Sequence, residues 1–127
     1  VPSVQRRKVR NGDEPLVMVT AYDAPSARVA DEAGVDLILV GDSVAMVVLG
    51  HADTLSVTMD EMLHHVKAAR RGTQRALLVA DMPYGSFHLS LAQAVDNALR
   101  FVKEGGASAV KIEGARRRPL KASSSAK

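Results

Sequence analysis

Ionisable side chains follow short apolar runs at several points of the sequence, each time where the run ends. Asp42 follows one such run and Asp81 follows the next, while Lys111 lies near the end of a third with Glu113 just after it. Carboxylate oxygens are the ligands that hard cations prefer, and a lysine ammonium attracts a carboxylate substrate. These four residues predict a site for a divalent cation and an anionic substrate.

The number of carboxylates favours Mg²⁺ over Ca²⁺. Asp42 and Asp81 are too few for an all-protein calcium cage, whereas Mg²⁺ keeps several waters and takes further ligands from its substrate. Ser43 can offer its hydroxyl and backbone N–H to an anion. Lys111 either binds a substrate carboxylate or pairs with Glu113, and both interpretations stay open. Any single aspartate after a strand can also be a helix cap. Polar residues follow all four runs, however, because Tyr22 and Asp23 come after another run, and this recurrence indicates a functional site at the strand ends.

The four histidines are not predicted to bind a metal. Asp60 and His64 have the spacing of a metal pair on a helix, but His64 points away from the apolar stripe and is interpreted as solvated. His65 flanks that stripe and is predicted to pack. His51 is assigned to loop structure, and His88 has no obvious partner.

Four continuous apolar runs must position these side chains. Continuous rather than alternating apolar residues are typical of parallel strands covered on both faces. The runs span residues 16–20, 37–40, 77–80 and 109–112.

Helical patterns occupy three of the intervals between or beside the runs. The first spans residues 25–33, with Asp23 as its cap and Gly34 beyond its end. The second starts after a capping box of Thr58 and Glu61, and Gly72 is its predicted stop. The third follows a capping box of Ser90 and Gln93 and carries one apolar stripe, formed by Leu91, Ala94, Val95, Ala98, Leu99 and Val102. Residues 41–57 are predicted to form a long loop.

This alternation predicts a parallel α/β sheet with right-handed crossovers. Chemistry at the carboxyl ends of the strands is typical of a (β/α)₈ barrel, of which this chain holds about the first four β/α units. Residues 15–114 are assigned to this half-barrel, residues 1–14 to a basic arm or helix, and residues 115–127 to a disordered basic tail.

The charge distribution argues against a nucleic-acid surface. The 127 residues carry a net charge of +3, but residues 1–10 hold four basic groups and residues 115–127 hold five, with no acid in either stretch. The stretch between them is acidic, so we expect solvated arms rather than a nucleic-acid arm.

The chain has no cysteine, which favours a cytoplasmic location. It also has no apolar run near the roughly 20 residues of a spanning helix, so no membrane segment is predicted.

Several segments resemble the amino-terminal half of ketopantoate hydroxymethyltransferases, in the same order and at comparable spacing. They are Thr20-Ala21-Tyr22-Asp23, Leu39-Val40-Gly41-Asp42-Ser43, Gly50-His51, Thr54-Leu55, Val57-Thr58, Arg71-Gly72, Ala80-Asp81-Met82-Pro83 and Val110-Lys111-Ile112-Glu113-Gly114. The resemblance implies a barrel of the phosphoenolpyruvate-mutase-like group and a Mg²⁺-dependent, aldol-type reaction of pantothenate and coenzyme A biosynthesis. In it, 5,10-methylenetetrahydrofolate gives a hydroxymethyl group to 3-methyl-2-oxobutanoate, forming 2-dehydropantoate.

The resemblance also implies roles for individual residues. Asp42 and Asp81 match the metal-binding positions, with Glu113 close by and assigned to the metal as well. Asp42, Ser43, Asp81 and Lys111 form the predicted substrate-binding set. The family's general base is a glutamate of the second half of the barrel, expected beyond residue 127. Homo-oligomers are expected, with a keto acid and a folate as the small-molecule partners.

A whole barrel needs about 250 residues, so we interpret the chain as a partial sequence or truncated product. We expect it not to turn over substrate near the rate of a complete enzyme. We also expect open sheet edges, with Val17, Val19, Val110 and Ile112 exposed and the chain prone to association.

Two other interpretations of the function stay open. The chain could belong to another metal-dependent lyase or mutase of the same barrel group, or it could be a non-catalytic binding module with basic arms.

Overall fold

The structure, a computed structural model, describes residues 14–114. The predicted tail at 115–127 and all but the last residue of the predicted arm at 1–14 therefore lie outside the described residues. In chain order, the elements are β1 (Met18–Thr20), α1 (Ala24–Glu32), β2 (Leu37–Val40), α2 (Val44–Val47), α3 (Met59–Gly72), β3 (Leu77–Asp81), α4 (Leu91–Lys103) and β4 (Ala109–Lys111).

The strands form one parallel sheet in the order β1-β2-β3-β4, which confirms the predicted α/β architecture. β2 has the predicted bounds, whereas β1 and β4 are shorter and β3 extends to Asp81. Asp81 is thereby paired in register with Lys111 of β4. Because all four strands run the same way, their carboxyl ends meet at one edge of the sheet.

Side-chain caps start the helices where the sequence predicts. An Asp23 carboxylate oxygen accepts the Ser26 N–H at 2.8 Å, and Thr58 and Glu61 form a complete capping box. Ser90 Oγ accepts the Gln93 N–H at 3.0 Å. The second half of that predicted box is wrong, because the Gln93 side chain accepts the N–H of Leu89 instead.

Gly72 ends α3 as predicted, and it also has a packing role. A Cβ built there would lie 2.1 Å from the carbonyl oxygen of Ala24. A side chain at this position would therefore collide with the first turn of α1. Gly34 has φ +92° just after α1 and ends that helix as predicted.

The residues after β2 do not form a continuous loop. Val44–Val47 make the short helix α2, and the chain then turns so that the His51 N–H donates to the Ala45 carbonyl at 2.8 Å. Val44 and Ala45 are buried under this turn. The predicted long loop at 41–57 is thus interrupted by one helical turn.

The core lies between the sheet and the helices. Its fully buried side chains come from β2, β3, α2, α3, α4 and the segment after β3; they are Phe101, Ile38, Met62, Leu78, Val40, Val44, Val66 and Pro83. Of α4, only Phe101 is buried, while Leu91 of the predicted stripe is 82% exposed. The reason is that α4, the last helix described, packs mainly against α3 and β4.

The two outer strands are open edges, as predicted. Val17, Val19 and Ile112 are exposed. Val110 is an exception to the prediction, because it is half-buried and packs against the core. Within residues 14–114, no helix is long and apolar enough to cross a bilayer.

Candidate active site

The carboxyl ends of β2, β3 and β4 are joined by one polar network. The Asp42 N–H donates to Asp81 Oδ2 at 3.1 Å, and Lys111 Nζ donates to Asp81 Oδ1 at 2.9 Å. The Asp81 side chain is only 7% exposed, so both of its oxygens are used in a desolvated environment. The structure confirms that Asp42 and Asp81 lie at neighbouring strand ends on the same edge of the sheet.

Gly41 lets these two aspartates approach. A Cβ at Gly41 would lie 3.3 Å from Asp81 Oδ2 and 3.2 Å from Ser43 Oγ. Both distances are tighter than ordinary van der Waals contact, so a side chain here would require Ser43 or Asp81 to shift by a few tenths of an ångström. The sequence alone did not indicate this close contact.

Lys111 contacts two carboxylates. Its Nζ lies 2.9 Å from Asp81 and 3.3 Å from Glu113, so the predicted pairing with Glu113 is present and a second, closer pairing accompanies it. The hydrogen bond that Lys111 donates to Asp81 is the main cause that raises the pKa of Lys111, and Glu113 adds to it. The Lys111 side chain is 40% exposed, so its charge remains accessible to an anion; substrate contact stays a prediction.

Asp42 lies in an environment that favours binding of a cation. Burial raises its pKa, and the nearby charges of Asp81 and Glu113 raise it further. Within the described residues, no group of three or more His, Asp or Glu side chains is placed so that it could hold a metal ion. A pair of crowded carboxylates that needs water and substrate ligands as well fits Mg²⁺. The assignment of Glu113 as a metal ligand stays a prediction.

Ser43 is oriented by the first strand. Its hydroxyl lies 2.6 Å from the Tyr22 hydroxyl, and the Tyr22 carbonyl oxygen lies 2.9 Å from His65 Nδ1. His65 is half-buried, so it packs as predicted and also hydrogen bonds to the backbone. The residues after β1 thus support the Ser43 side chain that follows β2.

A cavity of about 330 Å³ opens over this rim. Asp42 and Glu113 line it, whereas Asp81 lies beneath and is not part of the lining. Thr54, Leu55 and Met82 also line it. Three aromatic rings complete the lining, and we call them the ring cluster: Tyr84, Phe87 and His88.

The ring cluster corrects the interpretation of His88 as a residue without a partner. The His88 ring stacks on Phe87 with centroids 4.1 Å apart and lies 4.7 Å from the ring of Tyr84. Its Nδ1 accepts the Gly85 N–H at 3.0 Å. Sequence reasoning missed Tyr84 and Phe87 entirely, although three aromatic rings within five residues directly after a strand end would have been a usable signal.

The other singled-out residues lie elsewhere. His64 is exposed, and Asp60 forms an ion pair with Arg100 at 2.8 Å. His51 is exposed in the segment after α2. None of these residues lines the cavity.

The sheet and its rim place the chain among (β/α) barrels whose site lies at the carboxyl ends of the strands. A 2,3-dimethylmalate lyase, a member of the phosphoenolpyruvate mutase/isocitrate lyase superfamily, matches 87% of this chain and 37% of its own, at a TM-score of 0.65 and 24% identity. A phosphoenolpyruvate phosphomutase from Streptomyces platensis subsp. rosaceus matches 78% of this chain and 33% of its own, at a TM-score of 0.62 and 24% identity. These likenesses show the fold of a partial (β/α)₈ barrel.

The chain belongs to the ketopantoate hydroxymethyltransferase family, whose model matches residues 1–124. It is 55% identical over 108 residues to a 3-methyl-2-oxobutanoate hydroxymethyltransferase of Geobacillus thermodenitrificans, covering 85% of this chain and 39% of the relative. The relative of that name from Koribacter versatilis is 58% identical over 105 residues, covering 83% of this chain and 36% of its own length. This chain therefore spans about two fifths of the length of these relatives, at their amino-terminal end.

Proposed function

We propose that this chain supplies the metal-binding and keto-acid-binding part of a 3-methyl-2-oxobutanoate hydroxymethyltransferase of pantothenate biosynthesis. The observation that carries the proposal is the network of Asp42, Asp81 and Lys111 across three strand ends, in a chain of this family. The reaction consumes 5,10-methylenetetrahydrofolate, 3-methyl-2-oxobutanoate and water. It forms the C–C bond of 2-dehydropantoate and releases tetrahydrofolate.

Asp42 and Asp81 would hold Mg²⁺, and Glu113 is proposed as a further ligand. The donor set fits because burial, and then the charges of Asp81 and Glu113, raise the pKa of Asp42, and a bound cation would favour its charged form. When bound, the ion would withdraw electrons from the keto acid and make its C3 proton more acidic. Water and the substrate would complete the coordination.

Lys111 and Ser43 would bind the keto acid. Lys111 keeps a positive charge in the site because Asp81 and Glu113 favour its charged form, and that charge attracts the substrate carboxylate. The Ser43 hydroxyl, oriented by Tyr22, can donate to a substrate oxygen.

The base that removes the C3 proton is proposed to lie in the remaining part of the barrel. We further propose a cytoplasmic, homo-oligomeric protein.

Titration calorimetry of the chain with 3-methyl-2-oxobutanoate, with and without Mg²⁺, tests the proposal. We expect binding that depends on Mg²⁺, and we expect Asp81→Asn to weaken it by about 30-fold or more, because the substitution breaks a buried charged contact. The matched control is Asp96→Asn on the exposed side of α4, which should bind as the wild type does. If the affinity for the keto acid changes neither with Mg²⁺ nor with Asp81→Asn, the assignment of Asp81 to the metal and keto-acid site is refuted.

The same chain should show no turnover near the rate of a complete enzyme in a folate-coupled assay, because proton abstraction lacks its proposed base. Full activity of the chain alone would show that a residue within it acts as the base.

A further inference from the structure

The ring cluster is an organised surface that the proposed metal and keto-acid contacts do not use. Tyr84 is 62% exposed although its ring contacts His88, and the stacked ring of Phe87 packs against the core. The Tyr84 ring is tilted by 49° to the His88 ring, which stacks on Phe87 at 28°. The exposed tyrosine thus presents its own flat ring to the cavity, with a stacked pair of rings beside it.

The loop that carries the rings is fixed by hydrogen bonds. Ser86 Oγ donates to the Pro83 carbonyl at 2.6 Å, and Asn97 of α4 donates to the Ser86 carbonyl at 2.8 Å. Gln93 of α4 donates to the Gly85 carbonyl at 2.9 Å, and Gly85 has φ +87°, which favours glycine. The backbone between β3 and α4 is thus held in place by the first turns of α4.

The position of His88 is fixed by its own loop. The Gly85 N–H donates to Nδ1, which requires Nδ1 to be unprotonated and places the ring hydrogen on Nε2. With one nitrogen held by the backbone and one face against Phe87, the ring has little freedom to reorient. The ring cluster is therefore preorganised for a planar ligand.

We propose that the ring cluster stacks against the pterin ring of the one-carbon donor; this rests on the proposed function. The rings line the same 330 Å³ cavity as Asp42 and Glu113, so a pterin stacked there would lie beside the keto acid. The transferred carbon is bonded to N5 of the pterin, and it must come within bonding distance of keto-acid C3. The keto acid is a short aliphatic molecule without a ring to stack, so the flat aromatic surface suits the second substrate.

The test uses the whole 127-residue chain and 5-formyltetrahydrofolate, a folate that carries its one-carbon unit on N5 and does not transfer it here. Equilibrium dialysis should show binding that Tyr84→Ala weakens about 5-fold or more, the range expected for losing one stacked aromatic ring. Tyr84→Phe should bind within 2-fold of wild type. The matched control is Leu89→Ala, an 84% exposed side chain on the same loop that does not line the cavity.

A second measurement needs no substitution. Nuclear Overhauser effects between the bound folate and the Tyr84 ring should involve protons of the pterin. Contacts only to the aminobenzoyl ring, or none to the ring cluster, would overturn the proposal.

The outcomes also separate this proposal from the proposed function. The stacking role is overturned if the chain binds the keto acid with Mg²⁺ but does not bind folate. It is also overturned if Tyr84→Ala leaves folate binding unchanged. In both cases the proposed function stands. Loss of Mg²⁺-dependent keto-acid binding itself refutes the proposed function. His88→Ala, compared with His64→Ala outside the cavity, should repeat the selective weakening of folate binding.

Discussion

Replacing Asp31 by asparagine should destabilise the chain more than any other removal of a single charge outside the site. Asp31 is a buried residue of α1 whose carboxylate accepts three consecutive backbone N–H groups at the start of the segment into β3. The distances are 3.1 Å to Gln74, 3.0 Å to Arg75 and 2.7 Å to Ala76. This clamp attaches α1 to the turn between α3 and β3.

The expected magnitude follows from these contacts. A hydrogen bond to a charged group contributes about 1.5–3 kcal/mol, and a buried donor left unpaired costs about 1–3 kcal/mol. Asparagine keeps one acceptor oxygen but turns an NH₂ group toward N–H donors, so at least one of the three bonds is lost. An asparagine oxygen in the place of Oδ1 can still accept from Arg75 and Ala76, but its NH₂ then faces the Gln74 N–H and the two remaining bonds lose their charge. We therefore expect Asp31→Asn to lower the free energy of unfolding by about 3 kcal/mol.

The pH dependence has a definite sign. The Ala76 N–H is the largest cause that holds the pKa of Asp31 below its usual 3.8, with Gln74 and Arg75 contributing. A lowered pKa in the folded state means that the stabilisation is fully present above the unfolded pKa and is lost as pH falls through the folded pKa. The difference between wild type and Asp31→Asn should therefore be constant from about pH 6 to 8 and shrink below about pH 4.

Urea unfolding at these pH values measures the difference, and hydrogen exchange at residues 74–76 reports the clamp locally. Glu32→Gln, an exposed neighbour on the same helix, is the control and should change stability little. A difference below about 0.5 kcal/mol, or one of equal size at pH 3 and pH 7, would refute the clamp.

Two further outcomes are expected. Gly72→Ala should lower the free energy of unfolding by about 3 kcal/mol, because its Cβ would collide with the Ala24 carbonyl. The control is Gly50→Ala, which has φ +76° and open space around it and should cost only backbone strain of about 1 kcal/mol. Equal urea midpoints for the two variants would contradict the packing role of Gly72. The chain should also associate through the exposed apolar side of α4. Leu99→Glu should therefore shift sedimentation toward monomer, whereas Lys103→Gln, which changes the net charge equally, should not. A monodisperse wild-type monomer would contradict this prediction.

The parallel sheet could be predicted because its signals are local. β2 is a continuous apolar run between a glycine turn and Gly41-Asp42, and each long helix begins at a residue whose side chain can cap it. Such features depend on a few neighbouring residues. α2 was missed because four apolar residues without polar alternation do not show a helical period.

Features that depend on distant backbone were not predictable in the same way. The sequence places Asp42 and Asp81 at strand ends, but nothing in it indicates that the Asp42 N–H, rather than its carboxylate, contacts Asp81. Gly72 reads as a helix stop from its position, and only the path of α1 shows that it is needed for close packing. The exposure of the α4 stripe depends on what lies beyond β4, which the pattern of one helix cannot specify.

The site is assembled from strands that are neighbours both in sequence and in space. β2, β3 and β4 are consecutive, so the contacts of Asp81 with the Asp42 amide and with Lys111 each close over a single β/α unit. Lys111 compensates part of the negative charge that Asp81 and Asp42 bring to the rim, so the folded half-sheet can tolerate crowded carboxylates. Because neighbouring parallel strands end at one edge of the sheet, strand-end positions were enough to bring these three residues to one candidate site, whereas the ring cluster was missed.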